Sequence, residues 1–121
     1  MESKVLGQKG EEAACIFLKK KGYRIRDRNF RCRLGEIDIV AEDHGEIVFV
    51  EVKTRQSLDF GSPEESLDYF KKKRLTRLAL FYLSIRNLQN FPSRFDVVSI
   101  KMDGEKIKDI QIIKNAFEAT F

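Results

Sequence analysis

Two carboxylates and a lysine set inside an apolar hairpin are the residues of this chain best suited to chemistry. The stretch "GEIDIVAEDHGEIVFVEVKTR", residues 35–55, carries Asp38, Glu51 and Lys53 among valines, isoleucines and a phenylalanine, where a charge without a partner is expensive to bury. At its centre, His44-Gly45 reads as a two-residue hairpin loop. Opposed residues then have numbers summing to 89, so Ile37 faces Val52, Ile39 faces Val50 and Ala41 faces Val48. That face is wholly apolar. The other pairs Val40 with Phe49, Asp38 with Glu51 and Glu36 with Lys53. A slip of one residue would set Asp38 against Val50 and spoil the apolar face, so the pattern itself selects the register.

Carboxylates directly opposite each other, with Cβ atoms ~5 Å apart, repel. A shared cation removes the repulsion, and oxygen donors of this kind suit a hard ion, Mg²⁺ or Mn²⁺. Lys53 lies two residues from Glu51 on the same face; it can position or activate a water and offset charge on a phosphate under attack. The first helix offers another acid. At about 100° per residue Glu11 falls beside Gly7, Ala14 and Leu18 at the margin of the buried face, whereas Glu12 points to solvent. Gly7 and Gly10 leave room for the helix to approach the sheet or a bound strand. The ordinary alternatives are a solvent-facing ion pair for the ExK and, for Glu11, an acid favoured near a helix N-terminus.

A helix, three strands, a helix and two strands are needed to position these groups. Residues 3–21 carry Leu6, Ala13, Ala14, Phe17 and Leu18 at helical spacing, with Gly22 as the stop. "YRIRDRNF", residues 23–30, alternates as an edge strand with Arg24, Arg26 and Arg28 on one face. Strands over 35–42 and 46–53 follow. "GSPEES" predicts the second helix, with Ser62 as N-cap, Pro63 at the first helical position and Glu65 completing a capping box; it should run to about Asn87. "RFDVVSIKM" and "KIKDIQIIK" are two final strands around an Asp103-Gly104 turn.

Length and composition bound the rest. The 121 residues make one domain, 1–121, and 42% hydrophobic with 35% charged residues is the balance of a folded protein. A formal charge of +4 suits an anionic polymer without requiring one. Cys15 and Cys32 lack CxxC spacing or histidine companions and read as packing residues in a reducing cytoplasm. No stretch approaches the ~20 apolar residues of a membrane span. His44 reads as solvated at its turn tip.

The run "FKKKRLTR", with Lys71, Lys72, Lys73, Arg74 and Arg77, is by default a solvated helix face. Joined by Arg24, Arg26, Arg28, Arg31, Arg33 and Arg55 it would form a phosphate-binding surface. Phe70, Phe81 and Tyr82 match core spacing better than base-stacking platforms.

"GQKGEEAA", "RNFRCRLGEIDIVA", "VFVEVKTR" and "RFDVV", in this order, resemble the uncharacterised bacterial YraN-type family of the restriction-endonuclease-like PD-(D/E)xK superfamily. The similarity spans nearly the whole chain, and the compact layout is most similar to archaeal Holliday-junction resolvases. The superfamily signature, an acid in the first helix, an Asp on one strand and (D/E)xK on the next, matches Glu11, Asp38, Glu51 and Lys53. Ile37 stands where the signature has proline. The resemblance implies an α/β fold with an αβββαβ core and a mixed central sheet flanked by helices. It also implies a metal-dependent phosphodiesterase site in which Asp38, Glu51 and the Val52 carbonyl hold Mg²⁺ or Mn²⁺, and in-line attack leaving a 5′-phosphate.

The expected function is therefore a cytoplasmic, metal-dependent endonuclease acting on DNA, on branched or structured forms in recombination or repair. Cutting paired strands of a junction would require a symmetric homodimer. The alternatives are a non-catalytic nucleic-acid-binding accessory protein of DNA uptake or recombination, and a protein-interaction module with a vestigial site.

Overall fold

Gly22 ends the first helix in a backbone conformation that few other residues adopt. A computed structural model of the chain describes residues 3–57 and 67–121. Helix α1 spans Ser3–Lys20, and Gly22 follows at φ 94°. Its N–H donates to the Lys19 carbonyl and that of Tyr23 to the Leu18 carbonyl, both at 3.0 Å. These bonds satisfy carbonyls that a helix end leaves open, and Tyr23 is delivered into the core.

Strands β1 (Arg24–Cys32), β2 (Gly35–Asp43) and β3 (Glu46–Gln56) form an antiparallel meander. Helix α2 (Tyr69–Ile85) precedes β4 (Ser93–Asp103), which lies parallel to β3, and β5 (Lys106–Phe117) returns antiparallel. The sheet order is β1-β2-β3-β4-β5, and its one parallel pair is the pair that needs a crossover connection. This is the expected restriction-endonuclease-like core, a mixed sheet flanked by two helices. Among the described residues no helix is long and apolar enough to cross a membrane.

Strand β3 reads as a continuous apolar run because both of its faces are buried. Ile47 and Phe49 join Val40, Leu75, Leu78, Tyr82 and Phe95 beneath α2. Val48 and Val50 join Ala14, Leu18, Ile39 and Ile100 beneath α1. Cys15 is buried in the α1 layer and Cys32 packs against the α2 layer, the packing roles expected of them.

Element boundaries differ from expectation at α2 and at the last hairpin, and β1, β3 and β5 end two or three residues later than expected. The capping box at Ser62, Pro63 and Glu65 lies outside the described residues. The described helix begins at Tyr69, where the Asp68 side chain accepts from the Lys71 amide at 2.8 Å, and it ends at Ile85 rather than Asn87. At the last hairpin Asp103 pairs with Lys106, so the loop is Gly104-Glu105, one residue later than expected; Gly104 takes the positive φ, 62°, that such a turn demands.

"RFDVV" supplies a buried polar anchor near the other hairpin. Asp96 is fully buried on β4. It accepts from the Tyr23 hydroxyl (2.9 Å), from Arg94 Nε (3.0 Å) and from the Asn115 amide (3.0 Å). Arg94 also reaches Asp43 at 2.7 Å and Glu46 at 3.2 Å. A buried carboxylate satisfied from three directions ties β4 to α1's exit, to the β2–β3 turn and to β5.

Candidate active site

Asp38 sits where the hairpin comes apart. The β2–β3 ladder follows the predicted register from Asp43↔Glu46 through Val40↔Phe49 to Ile39↔Val50 and then stops, while β3 stays paired with β4 as far as Gln56↔Met102. The expected pairs Ile37 with Val52, Asp38 with Glu51 and Glu36 with Lys53 are therefore not ladder pairs. In their place the Val52 amide donates to Asp38 Oδ2 at 2.8 Å. On the other side, β1–β2 pairing passes from Arg28↔Ile39 to Phe30↔Ile37, and the intervening Asn29 has φ 52°. The distortion breaks the alternation of β2. Ile37, expected on the face of Ile39, packs with Val40 and Leu78 in the α2 layer.

This break gathers acids. One carboxylate oxygen each from Glu11, Glu36 and Asp38 lie within 4.8 Å of one another. With its amide nitrogen turned towards them, Asn29 donates to Glu36 at 2.7 Å and to Glu11 at 2.9 Å. Burial, opposed by the Asn29 hydrogen bond and reinforced by the Glu36 charge, raises the pKa of Glu11. Asp38 is pushed up to about 8, by burial first and then by the Glu51 charge, against the opposing Val52 hydrogen bond. Such a group keeps its proton well above the ordinary carboxylate range. Glu12 turns away, as expected, to Arg28 at 2.8 Å.

Glu51 and Lys53 project from β3 towards α2. Lys71 Nζ of α2 lies 3.5 Å from Glu51. Burial lowers the Lys53 pKa, and the neighbouring Lys71 lowers it further against the pull of Glu51 and Asp38. Glu11, Asp38, Glu51 and Lys53 all line one cleft of about 340 Å³, with Gly7, Val52 and Thr54. A second, of about 250 Å³, is lined by Glu36, Asp38, Glu51, Lys71 and Arg74 among others. Asp38 and Glu51 form the wall shared by the two.

The two glycines of α1 differ. A Cβ at Gly10 would stand 2.2 Å from Thr54 Oγ1, whereas at Gly7 nothing lies within 4 Å. Gly10 thus seats the helix on β3, and Gly7 is simply part of the cleft wall. Gly10→Ala should cost about 1–3 kcal/mol in urea denaturation, and Thr54→Ala in the same chain should recover part of it. Equal stability of Gly10→Ala and the parent would show that Thr54 yields freely.

The basic residues divide into two groups. Arg24 and Arg26 both pair with Glu42 (3.4 and 2.5 Å), Arg28 with Glu12, and Arg31 with Glu36 at 3.5 Å. A register shift between Ile25 and Asp27 turns Arg26 to the Tyr82 hydroxyl beneath α2 while Arg28 faces α1. Arg24, Arg26 and Arg28 therefore do not share the face expected of them, since the extra residue reverses the alternation. Arg33, by contrast, lines a groove of about 340 Å³ with Leu34, Phe70, Lys73, Arg74 and Arg77. Lys72 lies over the Phe117 ring, and Arg55, on β3, is partly buried. Of the three α2 aromatics expected at core spacing only Tyr82 is core; Phe70 is 77% exposed and Phe81 40%. Phe70 lies off the buried stripe of the helix, on the same side as the exposed Arg77 and Phe81.

Sequence reasoning passes over Glu36 and Asn29 as site residues and gives Lys71 a place only in the phosphate-binding surface. It matches Glu36 to Lys53 across an assumed ladder, although the spacing of two from Asp38 is a signal. Lys71 is one turn before Leu75 and two before Leu78, so it continues the buried stripe of α2 towards the sheet.

Comparison with known proteins gives one family. A model described as "Uncharacterised protein family UPF0102" matches residues 10–100. A UPF0102 protein of Caldicellulosiruptor saccharolyticus is 49% identical over 118 residues, covering 97% of this chain and all of that one. One from Moorella thermoacetica is 53% identical over 112 residues, covering 92% and 93%. Among solved structures, Pyrococcus furiosus SfsA in complex with Ca²⁺ aligns with a TM-score of 0.40 at 15% identity. The alignment covers 93% of this chain but 62% of that one.

Proposed function

We propose that this chain, which belongs to the uncharacterised protein family UPF0102, the YraN-type family its motifs resemble, is a divalent-metal-dependent phosphodiesterase acting on DNA. The observation that carries the reading is the convergence of Glu11, Glu36, Asp38 and Glu51 on one break in the sheet, with Lys53 and Lys71 beside them. The donor set fits Mg²⁺ or Mn²⁺: all oxygen, multiply charged, and with Asp38 held far above its ordinary range by burial and by the Glu51 charge, an environment a bound cation would offset. Resemblance of Glu11, Asp38, Glu51 and Lys53 to the PD-(D/E)xK signature supports the same assignment.

Asp38 and Glu51 would hold the ion, with the Val52 carbonyl, and Glu11 and Glu36 would bind it or its water shell. When bound, the cation supplies stabilisation of the charge that develops on the phosphate. Asn29 fixes the orientation of Glu11 and Glu36. Lys53, its pKa lowered by burial and by Lys71, would position the attacking water and, as the neutral amine, accept the proton the water gives up as the new P–O bond forms, while the 3′-oxygen leaves with the electron pair of the broken P–O bond and takes a proton from solvent. Lys71 offsets Glu51 and would meet a phosphate arriving along α2.

The test is a cleavage panel of junction, flap, single-stranded and duplex DNA with Mg²⁺, with Mn²⁺ and with EDTA, using Asp38→Ala as the inactive control. Products should form only with metal and only in the parent. Metal-independent products, or equal products from Asp38→Ala, would overturn the assignment. Tight binding of DNA without turnover in any arm would favour the accessory role.

A further inference from the structure

The groove beside the acidic clefts has a chemistry of its own. Arg33 from the β1–β2 turn and Lys73, Arg74 and Arg77 from α2 line it together with Leu34 and Phe70. Among the described residues no carboxylate lines it. Positive charge on β1 is largely met by acids; among the described residues no acid pairs with Arg33, Lys73, Arg74 or Arg77, and Lys73 lies over the Tyr69 ring, so these cations can meet an external anion. Between them stands the Phe70 ring, 77% exposed, edge-on to the exposed Tyr69 at 5.5 Å.

Arg74 also lines the cleft of Glu36, Asp38, Glu51 and Lys71. Lys71, Arg74 and Arg77 are three residues apart along α2, on one side of the helix, each step rising about 4.5 Å. They form a track of cations running from the groove to the acids.

Building on the phosphodiesterase reading, we propose that this groove holds an unpaired segment of DNA, with a base stacked on Phe70 and its phosphates on Arg33, Lys73, Arg74 and Arg77. The same track delivers the strand to Asp38 and Glu51. Cations alone would accept duplex as readily as single strand. The aromatic ring decides between them, because duplex bases are already paired and stacked on one another, while an unpaired base offers its face to a side chain. The substrate form is then DNA carrying a single-stranded stretch next to the scissile bond.

Binding in EDTA separates this inference from catalysis. Fluorescence anisotropy with labelled oligo(dT) of about 20 nucleotides should give tighter binding than a blunt duplex of equal length. Phe70→Ala should weaken oligo(dT) binding by about tenfold, leave duplex binding unchanged, and be rescued by Phe70→Trp. Since Phe70 is 77% exposed and is not among the described residues packed on the α2-side core, circular dichroism of the variant should match the parent. Replacing Arg74 and Arg77 by Gln should reduce the slope of log K against log salt by about 1.4, or ~0.7 for each phosphate that is no longer neutralised. Duplex bound as tightly as oligo(dT), or Phe70→Ala binding like the parent, would overturn the groove. Oligo(dT) bound with these dependences while no junction, flap, single-stranded or duplex DNA is cut with Mn²⁺ would keep the groove and remove the phosphodiesterase; metal-dependent cutting unaffected by Phe70→Ala would do the reverse.

Discussion

Metal-free protein should lose stability as the pH rises from about 5 to about 8.5, and Asp38→Asn should remove most of that loss. The sign follows from the shift. Asp38 is raised from 3.8 to about 8 by burial and by Glu51, so between those values the folded chain keeps a proton that the unfolded chain releases. Stability falls by up to about 1.4 kcal/mol per pH unit in that window and levels off above the folded pKa. Urea denaturation in EDTA should therefore show a parent weakened by a few kcal/mol at the upper end of the window. Asp38→Asn, neutral at every pH, should be the more stable protein there and lose that advantage at the lower end. Mn²⁺ should restore the parent, by roughly 2.7 kcal/mol at a hundredfold excess over its dissociation constant, and do little for the variant. A parent whose stability is flat across the window would mean that the protein already compensates the Asp38 charge, and the case for a cation would fail.

The register behind that prediction was legible because two local rules coincide. His44 and Gly45 both adopt positive φ, 49° and 80°, as the two-residue loop requires, and the alternation of Ile39, Ala41, Val48 and Val50 admits no other pairing. Local rules stop being sufficient at Asp38. There β3 leaves β2 while still following β4, a choice made by a strand more than forty residues away in sequence. Ile37 turns to α2 as a result, and Glu36 turns to Glu11 and Asn29 rather than to Lys53.

The same distinction explains the arginines. Period-two alternation places Arg24, Arg26 and Arg28 together, but one extra residue near Arg26 turns Arg28 away from the other two, and nothing in "YRIRDRNF" announces a bulge. Glu11 was readable from helical phase alone. Lys71 belongs to a run of three lysines whose members differ only in which way α2 faces, and that is set by Leu75, Leu78 and Tyr82 against the sheet.

Lys53→Ala should lower turnover by about 10²–10³ while leaving Mn²⁺ affinity and the KM for DNA close to those of the parent. The lysine contributes charge and proton handling to the transition state, whereas carboxylates supply the metal's ligands, so the loss should appear in kcat alone. Lys53→Arg should not restore it, since a guanidinium stays charged and has a different reach. Lys71 gives the control that a purely structural role for Lys53 could not mimic. Its positive charge helps to lower the Lys53 pKa, so Lys71→Ala should raise it and move the acid limb of the pH–rate profile to higher pH. Metal titration by calorimetry and single-turnover cleavage across pH read the two effects separately. If Lys53→Ala loses metal affinity yet cleaves normally with excess Mn²⁺, Lys53 organises the carboxylates instead. If Lys71→Ala leaves the acid limb in place, the group titrating in that limb is not Lys53.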